Sequence, residues 1–461
     1  MTTKGSSKKL NVEDRRAALS SVRRTKNRAS SQPAQREPLS PVPDANVRAD
    51  FSILPGFREM RLQKAAAELL EIDNPFFRAH DGRASALTRI GGKEYINFSS
   101  YDYLGLNGHP AVQKAARDAV DRYGISAGAS RVVGGERPIH RDLERKIAEV
   151  YGVEDAVVFV SGHATNVSTI GQLLQPEDTI IHDAFIHNSI VTGARLSGAS
   201  RQSFPHNDFE ALEGLLRRRS SKKGKVLVAV EGVYSMDGDC PDLTRLVELK
   251  RRYGFWLMVD EAHALGILGK TGRGLHEHWN IDANEVDIWM GTCSKTLAGC
   301  GGYIAGSRDL TEYLKFSASG FVFSVGMPPP VAASISAAID MMLAEPERVE
   351  RVQEAGRCLL KLARQEGLET GTSDGHAVVP VMIGDSIKAT TIAARLLGEG
   401  VNVLPIIYPA VPERSSRLRF FVTSDHTEEQ LKQAVTAVSK VWEEYDRDPV
   451  SLAKLAQLAA G

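Results

Sequence analysis

Lys295 stands where a positive charge is uncommon, at the end of a run apolar enough for a buried strand. That run, Val286-Asp287-Ile288-Trp289-Met290, gives way to Thr292, Ser294 and Lys295. A glycine-rich turn, Gly299-Cys300-Gly301-Gly302, and a second apolar run from Tyr303 to Ala305 follow. A lysine removed from water gives up its proton more readily, and the free amine is the nucleophile that forms Schiff bases with carbonyl compounds. Most lysines are solvated surface charges, so Lys295 gains chemical meaning only if the chain supplies partners for it.

Partners occur at the ends of other apolar runs. After Ala156–Val160 the chain breaks at Ser161-Gly162-His163 into a helix beginning near Ala164-Thr165-Asn166. Such a helix start offers free backbone amides and a positive dipole end, a seat for phosphate. After Phe255–Val259 come Asp260-Glu261-Ala262-His263. Asp260 can bind a metal, act as a base, or pair with a buried cation; the last suits a protonated pyridine nitrogen. His263 can hydrogen-bond a neighbouring oxygen, and His187 can stack on an aromatic ring or move protons. A lone histidine is more often structural, and it is the neighbouring clusters that raise these two. Lys225–Val230 ends in Glu231-Gly232-Val233-Tyr234-Ser235-Met236-Asp237-Gly238.

The elements that would carry these residues alternate strand and helix. Helical spacing runs over Phe57–Ile72, from Pro110 to Tyr123, over Arg141–Tyr151 and over Asp242–Tyr253, and Gly91-Gly92 reads as a hairpin turn into Lys93–Phe98. Nearly continuous apolar strands joined by helices predict an α/β fold with a mostly parallel central sheet covered on both faces. In such sheets a ligand lies beyond the carboxyl ends of the strands, where all the polar clusters fall. Past Met327-Pro328-Pro329-Pro330 a long helix reaches towards Leu343. A smaller C-terminal α+β domain then follows, with strands Val378–Ile383, Val401–Leu404 and Leu418–Val422. The expected division is a disordered basic extension over 1–50 (with a short helix near Val12–Arg24), an N-terminal segment over 51–100, a large domain over 101–343 and a small one over 344–461. A weak helix is expected over Val450–Ala460.

At 461 residues, with 42% hydrophobic and 25% charged residues and a formal net charge of +0, the chain has the composition of an ordinary soluble globular protein and nothing that points to nucleic acid. No apolar run reaches the ~18 residues of a membrane span, and no secretory leader is legible. Four scattered cysteines fit free thiols in a reducing cytoplasm. Ala264–Thr271 imitates a P-loop, but it follows Asp260–His263 in the wrong order and opens no helix. Gly299–Gly302 precedes a strand instead of following one, so it is no dinucleotide loop. His276 and His278 have no partner cysteines, and no zinc or other metal site is expected.

Taken together, the motifs Asn97-Phe98-Ser99-Ser100 through Tyr103-Leu104-Gly105-Leu106, Glu231 to Gly238, Asp260 to His263 and Gly291-Thr292-Cys293-Ser294-Lys295 resemble, in order, those of the α-oxoamine synthases. These are pyridoxal-phosphate enzymes of fold type I, among them 8-amino-7-oxononanoate synthase, glycine C-acetyltransferase, 5-aminolevulinate synthase and serine palmitoyltransferase. The resemblance covers about Phe57 to Trp442. It implies pyridoxal 5′-phosphate as cofactor and a large PLP-binding domain over 101–343. It implies Lys295 as the Schiff-base lysine, Gly162 and His163 as backbone contacts, and His187 stacked on the pyridine ring. Asp260 would pair with the ring nitrogen, His263 with the ring hydroxyl, and Ser235 and Thr292 with the cofactor, Thr292 near its phosphate. Ser324 would reach the phosphate of a neighbouring subunit in a homodimer, and Arg419 would bind the amino-acid carboxylate. The implied reaction is a decarboxylative Claisen condensation of glycine, alanine or serine with an acyl thioester of coenzyme A or a carrier protein. Its products are an α-aminoketone, carbon dioxide and free thiol.

Two substrate-side positions depart from the biotin-pathway branch. Tyr101 replaces an asparagine, as in serine palmitoyltransferase-like members, and Ala410 replaces a threonine. With the basic arm, they admit an acyl carrier protein as partner. A class I/II aminotransferase shares the fold and the lysine, and a non-catalytic partner subunit would lack that lysine.

Overall fold

The computed structural model describes residues 51–69, 72–219 and 223–450. The expectations for residues 1–50, including the short helix, and for the tail helix beyond Val450 fall outside them. The chain divides into a unit ending at Lys64 and one beginning at Ala65, and the helix Pro55–Leu69 spans that boundary. Among the described residues no helix is long and apolar enough to cross a membrane.

Three short strands come first: β1 (His80–Asp81), β2 (Leu87–Ile90) and β3 (Lys93–Asn97), with the Gly91-Gly92 turn joining the antiparallel pair β2 and β3. The central sheet is built from β4 (Asp155–Phe159), β5 (Thr179–Asp183), β6 (Ser200–Phe204), β7 (Val226–Glu231), β8 (Trp256–Asp260), β9 (Ile288–Thr292) and β10 (Gly302–Gly306). Its order is β4-β10-β9-β8-β7-β5-β6, and every neighbouring pair is parallel except the two made by β10.

The two-residue period of a strand divides this sheet's side chains between two cores. Val157, Phe159, Leu227, Ala229, Ile288 and Met290 enter one; Ala156, Val158, Val228, Val230, Leu257 and Val259 enter the other. Burial on both faces is why these strands read as unbroken apolar runs, with each large side chain worth roughly 1.5–3 kcal/mol.

Helix ends follow capping chemistry. The Ser161 hydroxyl accepts the Ala164 amide at 3.3 Å and starts the helix Gly162–Leu173 just past β4. Asp242 accepts from Arg245 at 3.0 Å to start Leu243–Tyr253, which Gly254 stops in a left-handed conformation. Each such cap is worth about 1 kcal/mol.

The C-terminal domain holds a three-stranded antiparallel sheet of β11 (Val378–Gly384), β13 (Leu404–Ile406) and β14 (Ser416–Phe421), with β14 in the middle. The short strand β12 (Val401–Asn402) pairs in parallel with β3, and Asn402 Nδ2 donates to Asn97 Oδ1 at 2.9 Å. Residues 80–98 thereby join this domain, where Ile96 and Phe98 pack with Val379, Leu418, Phe420 and Val438.

Candidate active site

The carboxyl ends of β4, β5, β7, β8 and β9 deliver Ser161–His163, His187, Ser235, Asp260–His263 and Thr292–Lys295 to one end of the sheet, and β14 adds Arg419. Lys295 is half-buried, and its ammonium lies 5.7 Å from the centre of the Tyr101 ring. Burial pulls its pKa down to about 8; Asp260 and Glu231 draw it back up, and Arg419 adds to the lowering.

Asp260 is buried and held at both oxygens. Asn166 Nδ2 donates to Oδ2 at 2.8 Å, and the Ala262 amide donates to Oδ1 at 3.0 Å. Asn166 also donates to Ser189 Oγ at 2.9 Å, and that oxygen lies 2.7 Å from His187 Nδ1. Because the Ser189 amide also donates to Nδ1, at 3.3 Å, a neutral His187 carries its proton on Nε2. Burial lowers the His187 pKa; Asp260 opposes this, while Lys295, His163 and Arg419 reinforce it. The rings of His163 and His187 meet edge to face with centres 6.5 Å apart.

Further out, His263 Nδ1 lies 2.7 Å from the Tyr103 hydroxyl, and its ring is parallel to Phe421 at 6.1 Å. Burial and the nearby cations hold His263 well below the usual imidazole range. Arg419 Nη1 donates to Ser235 O at 3.0 Å and lies 3.2 Å from Met236 Sδ, with the guanidinium 4.5 Å over the Phe421 ring. Its buried Nε has no partner among the described residues. Arg417 Nη1 donates to Asp237 Oδ1 at 2.6 Å and to Met236 O at 3.0 Å, fixing the same loop.

Thr292 Oγ1 donates to Gly301 O at 3.0 Å and lies 2.8 Å from Ser294 Oγ. A Cβ on Gly162 would sit 2.8 Å from Thr292 Oγ1, so only glycine lets the start of its helix touch the end of β9. Two expected residues stand outside this group. Ser324 lies between the helices Ser319–Val322 and Pro329–Ala344, and Ala410 in the exposed turn before β14. Among the described residues neither is bonded to the cluster.

Sequence reasoning passed over Asn166, Ser189, Tyr103 and Glu231. Asn166 was legible as a helix-start residue and Tyr103 and Glu231 as motif members, but their partners are distant in the chain. One expectation is corrected. His278 does meet a cysteine, because the loop after β7 folds Cys240 back to it.

Residues 93–438 match the model of the family described as Aminotransferase class I and II. The chain is 39% identical over 366 residues to the 8-amino-7-oxononanoate synthase of Alkaliphilus metalliredigens, covering 79% of this chain and 92% of that one. It is 38% identical over 342 residues to the 4-hydroxy-2,2′-bipyrrole-5-methanol synthase PigH of a Serratia species, covering 74% of this chain but 52% of that protein. Among solved structures, the serine palmitoyltransferase of S. paucimobilis with bound PLP–myriocin aldimine superposes with a TM-score of 0.82 at 28% identity, covering 86% of this chain and 99% of that one.

Proposed function

The chain belongs to the class I and II aminotransferase family and, within it, to the α-oxoamine synthases, and we propose that it joins glycine, alanine or serine to an acyl thioester. It is a PLP-dependent acyltransferase, and the reaction class is decarboxylative condensation of an amino acid with a thioester. The single observation that carries the reading is the juxtaposition of Lys295, its pKa drawn down to about 8, with the buried Asp260 carboxylate.

The residues present fit the cofactor. The Gly162–Leu173 helix start, with Thr292 and Ser294 hydroxyls beside it, suits a phosphate. Asp260, fixed by Asn166 and Ala262, suits a protonated ring nitrogen. Lys295 would hold the aldehyde carbon through Nζ, and His187, flat and neutral, would flank the ring. His263, positioned by Tyr103, would bond the ring hydroxyl, and Ser235 would line the same wall. When bound, pyridoxal 5′-phosphate supplies an electron sink for a carbanion at the amino acid's α-carbon.

The chain's own residues do the rest. Arg419 binds the substrate carboxylate, its unpartnered Nε giving it donors to spare. With the cofactor bound, Lys295 would take the α-proton; a base with a pKa near 8 accepts and returns protons at neutral pH. Burial of the group excludes water from the carbanion. Tyr101, beside Lys295 and 4.7 Å from Phe421, shapes the substrate side.

A homodimer completes the reading. The exposed apolar residues Phe323 and Val325 flank Ser324, and Val133 is exposed as well, as a subunit contact requires. A carrier-protein donor is supported by the Lys/Arg-rich residues 1–50.

The test is an amino-acid panel against acyl-CoA and acyl-carrier donors, following carbon dioxide and free thiol. Equimolar release of both is expected. Keto-acid formation without thiol would make the enzyme an aminotransferase, and equal carrier-protein rates with and without residues 1–50 would remove the docking arm.

A further inference from the structure

Away from the Lys295 group, three metal-ligating side chains from distant parts of the chain converge. Cys240 comes from the loop after β7, His278 from the short helix Leu275–Trp279, and His376 from the segment entering β11. One ligand atom from each lies within 4.8 Å of the other two. Tetrahedral zinc places its sulfur and nitrogen ligands about 3.3–3.6 Å apart, given bonds of ~2.3 and ~2.0–2.1 Å, so side-chain rotations of about 1 Å close the site. The His278 and His376 rings already stand edge to face, 5.6 Å apart.

An acidic neighbour stands beside the three: Asp374 Oδ2 lies 3.9 Å from His376 Nε2. The backbones are locked together without any ion. The Asp374 amide donates to Gly238 O at 3.3 Å, and a Cβ on Gly238, at φ +77°, would fall 1.9 Å from Val378 O. Such contact admits only glycine and forces the loop bearing Cys240 against the strand that follows His376. Asp239 is spoken for by His206 at 2.9 Å, but with Asp242, Glu261 and Asp374 it sets a negative field at the sulfur. A thiolate and two imidazoles select zinc-class ions over magnesium or calcium.

We propose that Cys240, His278 and His376 bind one zinc-class divalent ion that ties the loop after β7 to the entry of β11. The ion touches no reacting group. Its effect is on position: the loop it holds includes Ser235 and Met236, the contacts of Arg419. His278 is exposed, so the ion enters from solvent.

The test uses the PLP-loaded full chain, stripped of metal and titrated with cobalt(II) and zinc(II) in separate arms. Expected are one zinc per chain, a thiolate-to-cobalt charge-transfer band, and a zinc-dependent rise in Tm. Cys240→Ser should abolish the band, and His278→Gln or His376→Gln should weaken zinc binding about ten-fold or more. His278→Gln changes an exposed side chain, so unaltered circular dichroism and cofactor absorbance will certify its fold even if Cys240→Ser misfolds. A missing band, a band that survives in Cys240→Ser, or undiminished zinc affinity in His278→Gln would overturn the proposal.

Discussion

Glu231 and Asp260 are register partners on the adjacent parallel strands β7 and β8, yet their oxygens are served unequally. Asp260 has a donor on each oxygen, whereas Glu231 accepts only the Ser235 amide, at 3.2 Å on Oε2, and its Oε1 is buried without a partner among the described residues. Burial first, and the Asp260 charge second, push Glu231 up to about 8. At neutral pH Glu231 therefore keeps its proton, which avoids two buried like charges side by side.

That assignment has a signed consequence for stability. Between the ordinary glutamate value of 4.5 and the folded value of about 8 the native state keeps the Glu231 proton that the unfolded chain has lost, so this residue makes stability fall as pH rises through that window. Glu231→Gln has no such proton to lose. Its Tm should fall less than that of the native protein between pH 5 and pH 8, measured on both under one buffer series. Parallel curves would mean that Glu231 is ionised throughout.

Lys295 sets the pH at which the cofactor attaches. With a pKa of about 8 in place of 10.5, about a tenth of it is free amine at pH 7, against roughly three in ten thousand for an ordinary lysine. Attachment of PLP to apo protein should therefore speed up with pH and level off above about 8. A rate still climbing at pH 10 would mark an unperturbed lysine. Lys295→Ala should yield no borohydride-fixed cofactor in the protein mass and lose about 10³-fold or more in turnover.

Asn166 is the least obvious support of the site. Asn166→Ala removes a buried hydrogen bond to a charged Asp260, worth about 1.5–3 kcal/mol, and PLP should bind about 10–100-fold more weakly by equilibrium dialysis. The same change unties Ser189 and hence His187. Native affinity in this variant would show that Asp260 needs no such anchor.

Arg419→Lys separates the two substrates. The planar fork is lost while the charge is kept, so KM for the amino acid should rise about 10–100-fold and KM for the thioester should stay within about two-fold. Equal rises would place Arg419 on the acyl path instead.

Much of this was legible in the chain. The strands β4, β7, β8 and β9 are apolar on both faces, and their ends announce the site in Lys295, Asp260, His263 and Gly162. Other elements carry weak signals. The helix Asn188–Ser197 holds Ile190, Val191, Thr192 and Gly193, poor helix formers by propensity, and is held by burial of Ile190 and Ala194 instead. The Asn166–Asp260 and Tyr103–His263 bonds join residues 94 and 160 positions apart, which no local pattern records. The meeting of Cys240 with His278 was hidden for the same reason, since it depends on a close approach of two loops.

The parallel pairing of β3 with β12 also sets an order of events during synthesis. Asn97 and Asn402 bond across 305 positions, and Ile96 and Phe98 bury themselves only among residues of the last hundred or so. At ribosomal rates of roughly 5–20 residues per second, the first strands wait about 15–60 s for the partner that covers them. The central sheet, whose strands all lie between Asp155 and Gly306, closes in about half that time, when β10 arrives beside β4. The nascent chain thus completes its catalytic floor first, while β3 stands as an open edge that other chains can find before β12 does.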